Sequence, residues 1–303
     1  MQGENYFSNI PLNDVQRIVT PIDASVKFPE ILDILLEKYR DDINLFQYLV
    51  LQSTSSEELL GYIRSAKYDA KQRMSLLKMF RRCVSPVCDT EATKKIKTIP
   101  TYVLVEAYGP TFKPIDELQS QFANISSATM SALAVLIGEY DTRGQSGYAL
   151  TDLFFNWFSE RHGRDMIIEG PRGAGRDIEL STIFPNFVGQ YPLDFVIRLR
   201  ATGEVLAVGF ARYDATRGGA QSDDRTGGNS NKVMKAKEYN QMTGDLIKLI
   251  FLSDGPGLMH RDTWMEACNL DSSWGDNVRV TTLKTANARV TREWLLDAIS
   301  DSA

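Results

Sequence analysis

The chain is poor in histidine and cysteine, the residues on which many enzyme centres depend. Its 303 residues include two histidines, His162 and His260, and three cysteines, Cys83, Cys88 and Cys268. So few histidines disfavour a histidine-rich metal centre. An odd cysteine count without a second Cys/His pair nearby indicates free thiols rather than a disulfide framework or a zinc site. Chemistry based on several histidines or on paired cysteines is therefore not expected.

Long apolar runs and a leader pattern are also absent from the sequence. No run reaches the roughly 18 apolar residues that a membrane span needs. The first residues do not combine a basic region with an apolar one, as a signal peptide would. We therefore expect no membrane partner and a cytoplasmic location.

The balance of charge argues against a nucleic-acid binder only at the level of the whole chain. The formal net charge is −5, yet the segment from Arg198 to Lys237 holds eight Lys and Arg residues against four Asp and Glu residues. Binding to phosphate depends on local charge density rather than on the total. A basic cleft is therefore compatible with this composition.

Apolar periodicity predicts a helical region followed by an α/β region. Spacings typical of helices recur through residues 26–82, where the basic residues from Lys67 to Arg82 are interpreted as a solvated helix face. Further along, helical patterns alternate with apolar strand candidates. We therefore predict the α/β class, with a mixed central β-sheet flanked by helices over residues 141–303 and a mostly α-helical N-terminal region over residues 1–140.

Two apolar strand candidates form a hairpin with charged residues at its ends. The first begins at Asp194, and the second ends with Phe210, Arg212 and Asp214 on one face, because alternate residues of a strand point the same way. Hydrolysis of a phosphodiester with divalent ions needs converging carboxylates and a cation that stabilises developing charge. Asp194 and Arg212 are therefore candidate catalytic residues, although an Asp at a strand start is also a common turn or cap residue.

This hairpin resembles that of the PD-(D/E)xK nucleases, in particular type II restriction endonucleases. Asp194, Arg212 eighteen positions later and the Gly-, Arg- and Asp-rich segment that follows carry the resemblance. The chain departs from the family in three ways: Leu193 is inserted between Pro192 and Asp194, Phe210 stands where the family has an acid, and Arg212 stands where it has lysine. An arginine cannot deprotonate water, so Arg212 would act by positioning and charge alone.

The resemblance implies a restriction-endonuclease-like core that hydrolyses double-stranded DNA with Mg²⁺ and acts as a homodimer, since palindromic sites match two-fold symmetry. Two alternatives stay open. One is a sequence-specific DNA-binding relative without cleavage activity, which the Phe210 and Arg212 departures would explain. The other is an unrelated α/β enzyme that acts on a small molecule.

The family also implies a second carboxylate for metal, which Phe210 cannot supply. Asp194 with Asp152 and Asp214 forms the preferred set of metal ligands and catalytic residues. The candidates for the second acid, in order, are Asp152 on the helix before the hairpin, Asp214 beside Arg212, Asp223 or Asp224 in the following segment, and Asp177, which becomes the primary acid if the hairpin register is shifted.

A polar segment after the hairpin, residues 216–231, is predicted to be a loop. Its glycines permit close backbone approach to DNA, and Arg, Asn and Gln side chains read base edges, although any mobile surface loop has a similar composition. The DNA-binding candidates in and after this segment are Arg217, Gln221, Arg225, Asn229, Asn231 and Lys232.

Overall fold

The computed structural model describes residues 5–24, 26–142, 145–173, 175–216 and 221–300, with side chains for all of these except 140–142, 221–227 and 298–300. The helices are, in chain order, α1 (Val15–Ile18), α2 (Glu30–Gln52), α3 (Ser56–Ile63), α4 (Ala70–Cys83), α5 (Thr90–Thr93), α6 (Thr101–Tyr108), α7 (Ile115–Phe122), α8 (Ser127–Thr142), α9 (Gln145–His162), α10 (Gln221–Thr243), α11 (Arg261–Leu270), α12 (Ala286–Arg289) and α13 (Arg292–Ser300). The strands are β1 (Met166–Glu169), β2 (Ile178–Glu179), β3 (Pro192–Leu193), β4 (Phe195–Leu199), β5 (Val205–Tyr213), β6 (Leu249–Asp254), β7 (Ser273–Asp276) and β8 (Val278–Thr281).

The chain divides into a helical unit, Ser25–Arg143, and an α/β unit made of Met1–Ala24 with Gly144–Ala303. The predicted boundary at residue 140 lies close to the division before Gly144, whereas the assignment of the N-terminal segment to the helical region is wrong, because Met1–Ala24 belongs with the α/β unit. Phe7 is fully buried there, with its ring centroid 5.1 Å from that of Trp264. The backbone N–H of Thr20 donates to the Asp254 carboxylate at 2.7 Å. Such long-range contacts leave no periodic signal in a short segment.

The helical unit follows the predicted periodicity. Five residues of α2 at helical spacing face its core and are buried: Leu35, Tyr39, Ile43, Phe46 and Val50. The side chain of Ser55 accepts a hydrogen bond from the backbone N–H of Glu58 and so caps α3. The prediction of helices through residues 26–82 is confirmed by α2, α3 and α4.

A search of the described helices for a membrane span finds no single helix that is both long and apolar enough. Only α7 and α8 taken together satisfy the length and composition criteria, and a bend of 120° separates them. Leu118, Phe122 and Ile137 of this pair are buried in the core of the helical unit.

The α/β unit is built around a five-stranded mixed sheet with the order β1-β4-β5-β6-β8. Strands β1, β4 and β5 are antiparallel neighbours, whereas β5, β6 and β8 run parallel. Parallel neighbours require crossover connections, which α10 and α11 provide. The short strands β2 and β3 pair separately. The predicted α/β class with a mixed sheet flanked by helices is confirmed.

Helices cover both faces of this sheet. On one face, Phe154 of α9 and Trp294 of α13 belong to the same buried cluster as Phe195. On the other, Val233 of α10 and Trp264 of α11 share a cluster with the alternate strand residues. Because both faces are buried, the central strands read as nearly continuous apolar runs.

Helix α10 begins before the position predicted for it. A polar loop was expected through residue 231, but the helix begins at Gln221, so that prediction is wrong from residue 221 onward. Glycine costs only about 1 kcal/mol relative to alanine in a helix interior. The buried residues Val233, Ala236 and Tyr239 fix the later turns against the sheet. Extension from an established helix is cheaper than nucleation, so unfavourable composition does not stop it.

Candidate active site

Asp194 occupies the one-residue break between β3 and β4, beside the central strand β5. Its backbone N–H donates to the carbonyl of Gly209 at 3.0 Å. Its Oδ2 atom accepts a hydrogen bond from the backbone N–H of Ala211 at 2.7 Å. Two bonds to the neighbouring strand therefore hold the carboxylate at a fixed place on the sheet.

Two glycines allow the backbone to pass close to its neighbours at this point. A Cβ atom at Gly209 would lie 2.0 Å from the ring of Phe195, and one at Gly170 would lie 2.2 Å from the carbonyl oxygen of Asp194. Any larger residue would have to displace a packed ring or backbone. These close approaches set the path of the chain on either side of Asp194.

Two charged side chains from distant parts of the chain interact electrostatically with Asp194. They are Lys232 of α10 and Asp177, the residue before β2. Burial raises the pKa of Asp194 above its ordinary value, the hydrogen bond from Ala211 lowers it, Asp177 raises it and Lys232 lowers it. Burial lowers the pKa of Lys232, and the two carboxylates oppose that shift. A half-buried acid and amine with pKa values displaced toward each other are typical of functional sites.

Phe210 is opposite Asp194 by continuation of the antiparallel register that pairs Phe195 with Gly209. The Nζ atom of Lys232 lies 3.7 Å from the centroid of the Phe210 ring, a cation–π contact. The ring of Phe210 is stacked on Phe251, with centroids 5.0 Å apart. An apolar ring that packs beneath an amine therefore occupies the position to which the family resemblance assigns an acid.

Arg212 and Asp214 form an ion pair, with Nε to Oδ1 at 2.9 Å. The prediction that they share a strand face is confirmed. The Asp214 side chain is 6% exposed, whereas that of Arg212 is 40% exposed. The backbone of Asp214 is held as well, because its N–H donates to Asp254 and its carbonyl accepts from Gly257. Arg212 therefore presents a partly exposed guanidinium with an anchored carboxylate beside it.

These side chains line a cavity of about 240 Å³ at the carboxyl ends of β5 and β6, next to α10 and α11. Ligands commonly bind outside the carboxyl ends of parallel strands in α/β folds. The polar residues that line the cavity are Asp194, Arg212, Asp214, Asn229, Lys232, Ser253, Thr263 and Glu266. Three of the sequence candidates for catalysis, Asp194, Arg212 and Asp214, are thus brought together.

Asp152, the first sequence candidate for the second acid, has other partners. Its carboxylate accepts hydrogen bonds from Arg172 at 2.5 Å and from Asn156 at 3.3 Å. It is not among the residues that line the cavity. Asp177, the last candidate in order, is the one that interacts with Asp194.

The DNA-binding candidates have different positions. Asn229 and Lys232 line the cavity, and Asn231 is exposed on α10. Arg217 lies outside the described residues, and Gln221, Asp223, Asp224 and Arg225 lie in the part of α10 without described side chains.

The carboxylates of the site decide whether it suits a divalent metal. Among the described side chains, no group of three or more His, Cys, Asp or Glu residues is arranged to hold a metal ion. Mg²⁺, however, is usually held by one or two carboxylates, with water and substrate phosphate oxygens completing its shell. Asp194 lines the cavity and interacts electrostatically with Asp177, so the residues present offer the one or two carboxylates that Mg²⁺ takes.

From the sequence, Lys232 is expected to contact DNA and Asp177 is the last of the candidates for the second carboxylate. One signal for Lys232 was available, because Lys232, Ala236 and Tyr239 follow i, i+4, i+7 spacing, and the latter two are buried. A comparable signal for Asp177 does not exist, since its place depends on the pairing of β2 with β3.

The chain was compared with protein-family models, with curated proteins and with solved structures, and no match was found in any of the three.

Proposed function

We propose that this protein is a type II restriction endonuclease that hydrolyses phosphodiester bonds in double-stranded DNA with Mg²⁺. The observation that carries the proposal is the carboxylate of Asp194, anchored to β5 by Ala211, which lines one cavity together with Lys232 and Arg212. A mixed sheet flanked by helices supports a restriction-endonuclease-like core, which is part of the proposal.

The proposed reaction places a different demand on each cation. As a water oxygen bonds to phosphorus and one ester P–O bond breaks, the water must lose a proton and the leaving oxygen must gain one. Lys232 suits this exchange, because burial lowers the pKa of its amine. Arg212 keeps its proton and instead stabilises the negative charge that develops on the phosphate.

Asp194 and Asp177 would hold the metal ion. Bound Mg²⁺ supplies Lewis-acid polarisation of the phosphate and lowers the pKa of water. The hydrogen bond from Ala211 to Oδ2 keeps the Asp194 carboxylate oriented toward the cavity that it lines. Asp214, in this proposal, orients Arg212 through their ion pair and is not a metal ligand.

The proposed partner is duplex DNA, bound by a homodimer. The basic excess between Arg198 and Lys237 supports phosphate contacts near the cavity, since Arg212 and Lys232 both line it. Asn229 also lines the cavity, and its amide is suited to reading adenine. A dimer follows from the proposed class, because two-fold symmetry matches a palindromic site.

One observation favours a second candidate, a DNA-binding relative that does not cleave. Phe210, 5% exposed, fills the strand position where the resembled nucleases carry an acid. If Asp177 does not serve as the second carboxylate and no other acid replaces it, Asp194 would be the single metal-binding carboxylate, and cleavage would be lost. The protein would then bind DNA in a salt-dependent way and release no products.

Digestion of a mixed DNA substrate tests the proposal. Plasmid and phage DNA are incubated at low salt with Mg²⁺, and the ends of any fragments are mapped. Discrete fragments with a common terminal sequence are expected, and Asp194→Ala should yield none. Gel shifts without products would favour the binding-only candidate. Intact DNA without any shift, in Mg²⁺ and in Mn²⁺, would exclude both.

A further inference from the structure

A second cavity, of about 250 Å³, lies between α10 and α11. It adjoins the cavity that Asp194 lines, here called the first cavity. Three residues, Asn229, Glu266 and Leu270, line both of them. A ligand that occupies the first cavity can therefore extend into the second without crossing a wall of packed side chains.

The second cavity combines apolar side chains with carboxamides. Val233 and Met234 of α10 and Leu270 of α11 supply apolar surface, and Asn229 and Asn269 supply one carboxamide from each helix. A carboxamide offers both donors and an acceptor. Apolar surface suits the face of a flat ring, and the carboxamides suit polar atoms at its edge. The lining therefore fits a heteroaromatic ring.

The charges of the second cavity favour a neutral ligand. Among the described residues that line it, the charged ones are Lys237 and Glu266, one of each sign. The Nζ atom of Lys237 donates to the carbonyl of Ser273 at 2.8 Å. Since the formal charges of the lining cancel, a phosphate gains little here, whereas an uncharged ring loses nothing.

The two carboxamides also lack partners within the part of the protein that the structure describes. Neither Asn229 nor Asn269 forms a side-chain hydrogen bond with another described residue. Other carboxamides nearby are used within the fold. Asn240, also on α10, donates to the carbonyl of Asp245 at 3.1 Å, and Asn156 accepts from Arg172 at 2.7 Å. The hydrogen-bonding groups of Asn229 and Asn269 are therefore available to a ligand.

We propose that the second cavity binds the base of the nucleotide whose phosphate occupies the first cavity, and that this base is adenine. The inference rests on the proposed function and names the nucleotide that the same site recognises. An asparagine carboxamide pairs with the N6 and N7 atoms of adenine. The sugar between phosphate and base would lie at the side chains that the two cavities share. In duplex DNA, a base bound in this way has left the stack.

The test compares two ligands that differ only by the base. Isothermal titration calorimetry with full-length protein and MgCl₂ measures the affinity for deoxyadenosine monophosphate, dAMP, and for deoxyribose phosphate, which has the same sugar and phosphate. Wild type should bind dAMP at least about tenfold more tightly, because only dAMP buries a ring and bonds the carboxamides. Asn269→Ala should weaken dAMP binding about fivefold and leave deoxyribose phosphate binding within about twofold.

A control variant removes a carboxamide from the same helix pair without touching either cavity. Gln241 is exposed near the end of α10 and lines neither of them. Gln241→Ala should keep both affinities within about twofold of wild type. Thermal melts show whether each variant is folded. Should Asn269→Ala unfold, Met234→Ala, at a side chain that is 51% exposed, should give the same selective loss of dAMP binding.

Equal affinity of the wild type for dAMP and deoxyribose phosphate would overturn the inference and assign the second cavity to a different occupant. Unchanged dAMP binding in a folded Asn269→Ala would also overturn it. The inference and the proposed function can fail separately. Cleavage of DNA by a protein that does not prefer dAMP refutes only the inference. A selective loss of dAMP binding in Asn269→Ala, in a protein that never cleaves DNA, refutes only the proposed function.

Discussion

The amine of Lys232 lies 3.7 Å from the centre of the Phe210 ring, on the strand face where the resembled nucleases place an acid and a lysine. Phe210 stands at the position where those nucleases have a carboxylate, and its ring helps to exclude water from the amine. Burial in turn lowers the pKa of Lys232, and the negative charges that it meets are those of Asp194 and Asp177. Helix α10 thus supplies an amine through Lys232, whereas strand β5 supplies the guanidinium of Arg212.

Asp194→Asn should make the protein more stable at pH 7. The pKa of Asp194 is raised above its ordinary value of 3.8, chiefly by burial, so the folded protein holds this proton more tightly than the unfolded chain does. Its stabilising contribution is therefore full at low pH and is lost as pH rises through the folded-state pKa. Asparagine keeps the acceptor for Ala211 without the charge. A higher Tm than that of the wild type is therefore expected at pH 7.

Measurement of the Tm of Asp194→Asn and wild type at several pH values tests the direction of this effect. The gain should shrink as pH falls and disappear below the ordinary pKa of 3.8. Asp152→Asn is the matched control, because that carboxylate is 45% exposed and held in a surface ion pair. It should show no gain at any pH. A loss of stability in Asp194→Asn at pH 7 would contradict the expectation.

Mg²⁺ should raise the Tm of the wild-type protein through Asp194 and Asp177. An ion at ten times its dissociation constant stabilises the folded state by about 1.4 kcal/mol. Asp177→Asn and Asp194→Asn should abolish this increase, whereas Asp152→Asn and Asp214→Asn should keep it. Differential scanning calorimetry with and without MgCl₂ measures it without reference to activity. A full increase in Asp177→Asn would remove Asp177 from the proposed metal site.

Lys232→Arg should reduce the cleavage rate by about 10² to 10⁴, because arginine keeps the charge but cannot exchange a proton. Duplex affinity in EDTA should stay within about twofold of wild type, since the charge at residue 232 is retained. The wild-type pH–rate profile should contain a transition below the ordinary lysine pKa of 10.5, and the variant should lack it. Lys235→Arg, on the same helix, is the control and should cleave normally. Unchanged kinetics in Lys232→Arg would eliminate Lys232 as the proton-exchanging group.

Phe210→Ala should destabilise the α/β unit by about 3 to 5 kcal/mol, because it opens a cavity under Lys232 and beside Phe251. Val188→Ala, at a side chain that is 92% exposed, should change stability by less than about 0.5 kcal/mol. All four tryptophans lie in the α/β unit, so tryptophan fluorescence during urea unfolding follows that unit. A loss below about 1 kcal/mol would mean that Phe210 does not support the site as a packed wall.

The parts of the site that depend on local repeats could be predicted from sequence. The two-residue period of a strand places Arg212 and Asp214 on one face, and their ion pair follows from it. The hairpin itself is local, and so is the position of Asp194 beside it. Helical spacing likewise predicts the helices of residues 26–82.

Contacts that depend on long-range packing could not be predicted from the sequence. Asp177 reaches Asp194 because β2 pairs with β3, an arrangement of two short strands with no periodic signature. Lys232 reaches the same place because α10 crosses from β5 to β6 and packs on the sheet. The burial of Phe7 on α11 is of the same kind. Each is fixed by the tertiary arrangement rather than by neighbouring residues.

Cleavage of duplex DNA by wild type and Asp194→Asn, compared at equal concentrations of folded protein, is the most direct test of the proposed activity. Because the variant should be at least as stable as the wild type, unfolding cannot explain a loss of rate. With Mg²⁺, the wild type should convert a DNA of known sequence into discrete fragments, while Asp194→Asn leaves it intact. Equal cleavage by both proteins, or none by the wild type with either Mg²⁺ or Mn²⁺, would contradict an endonuclease centred on Asp194.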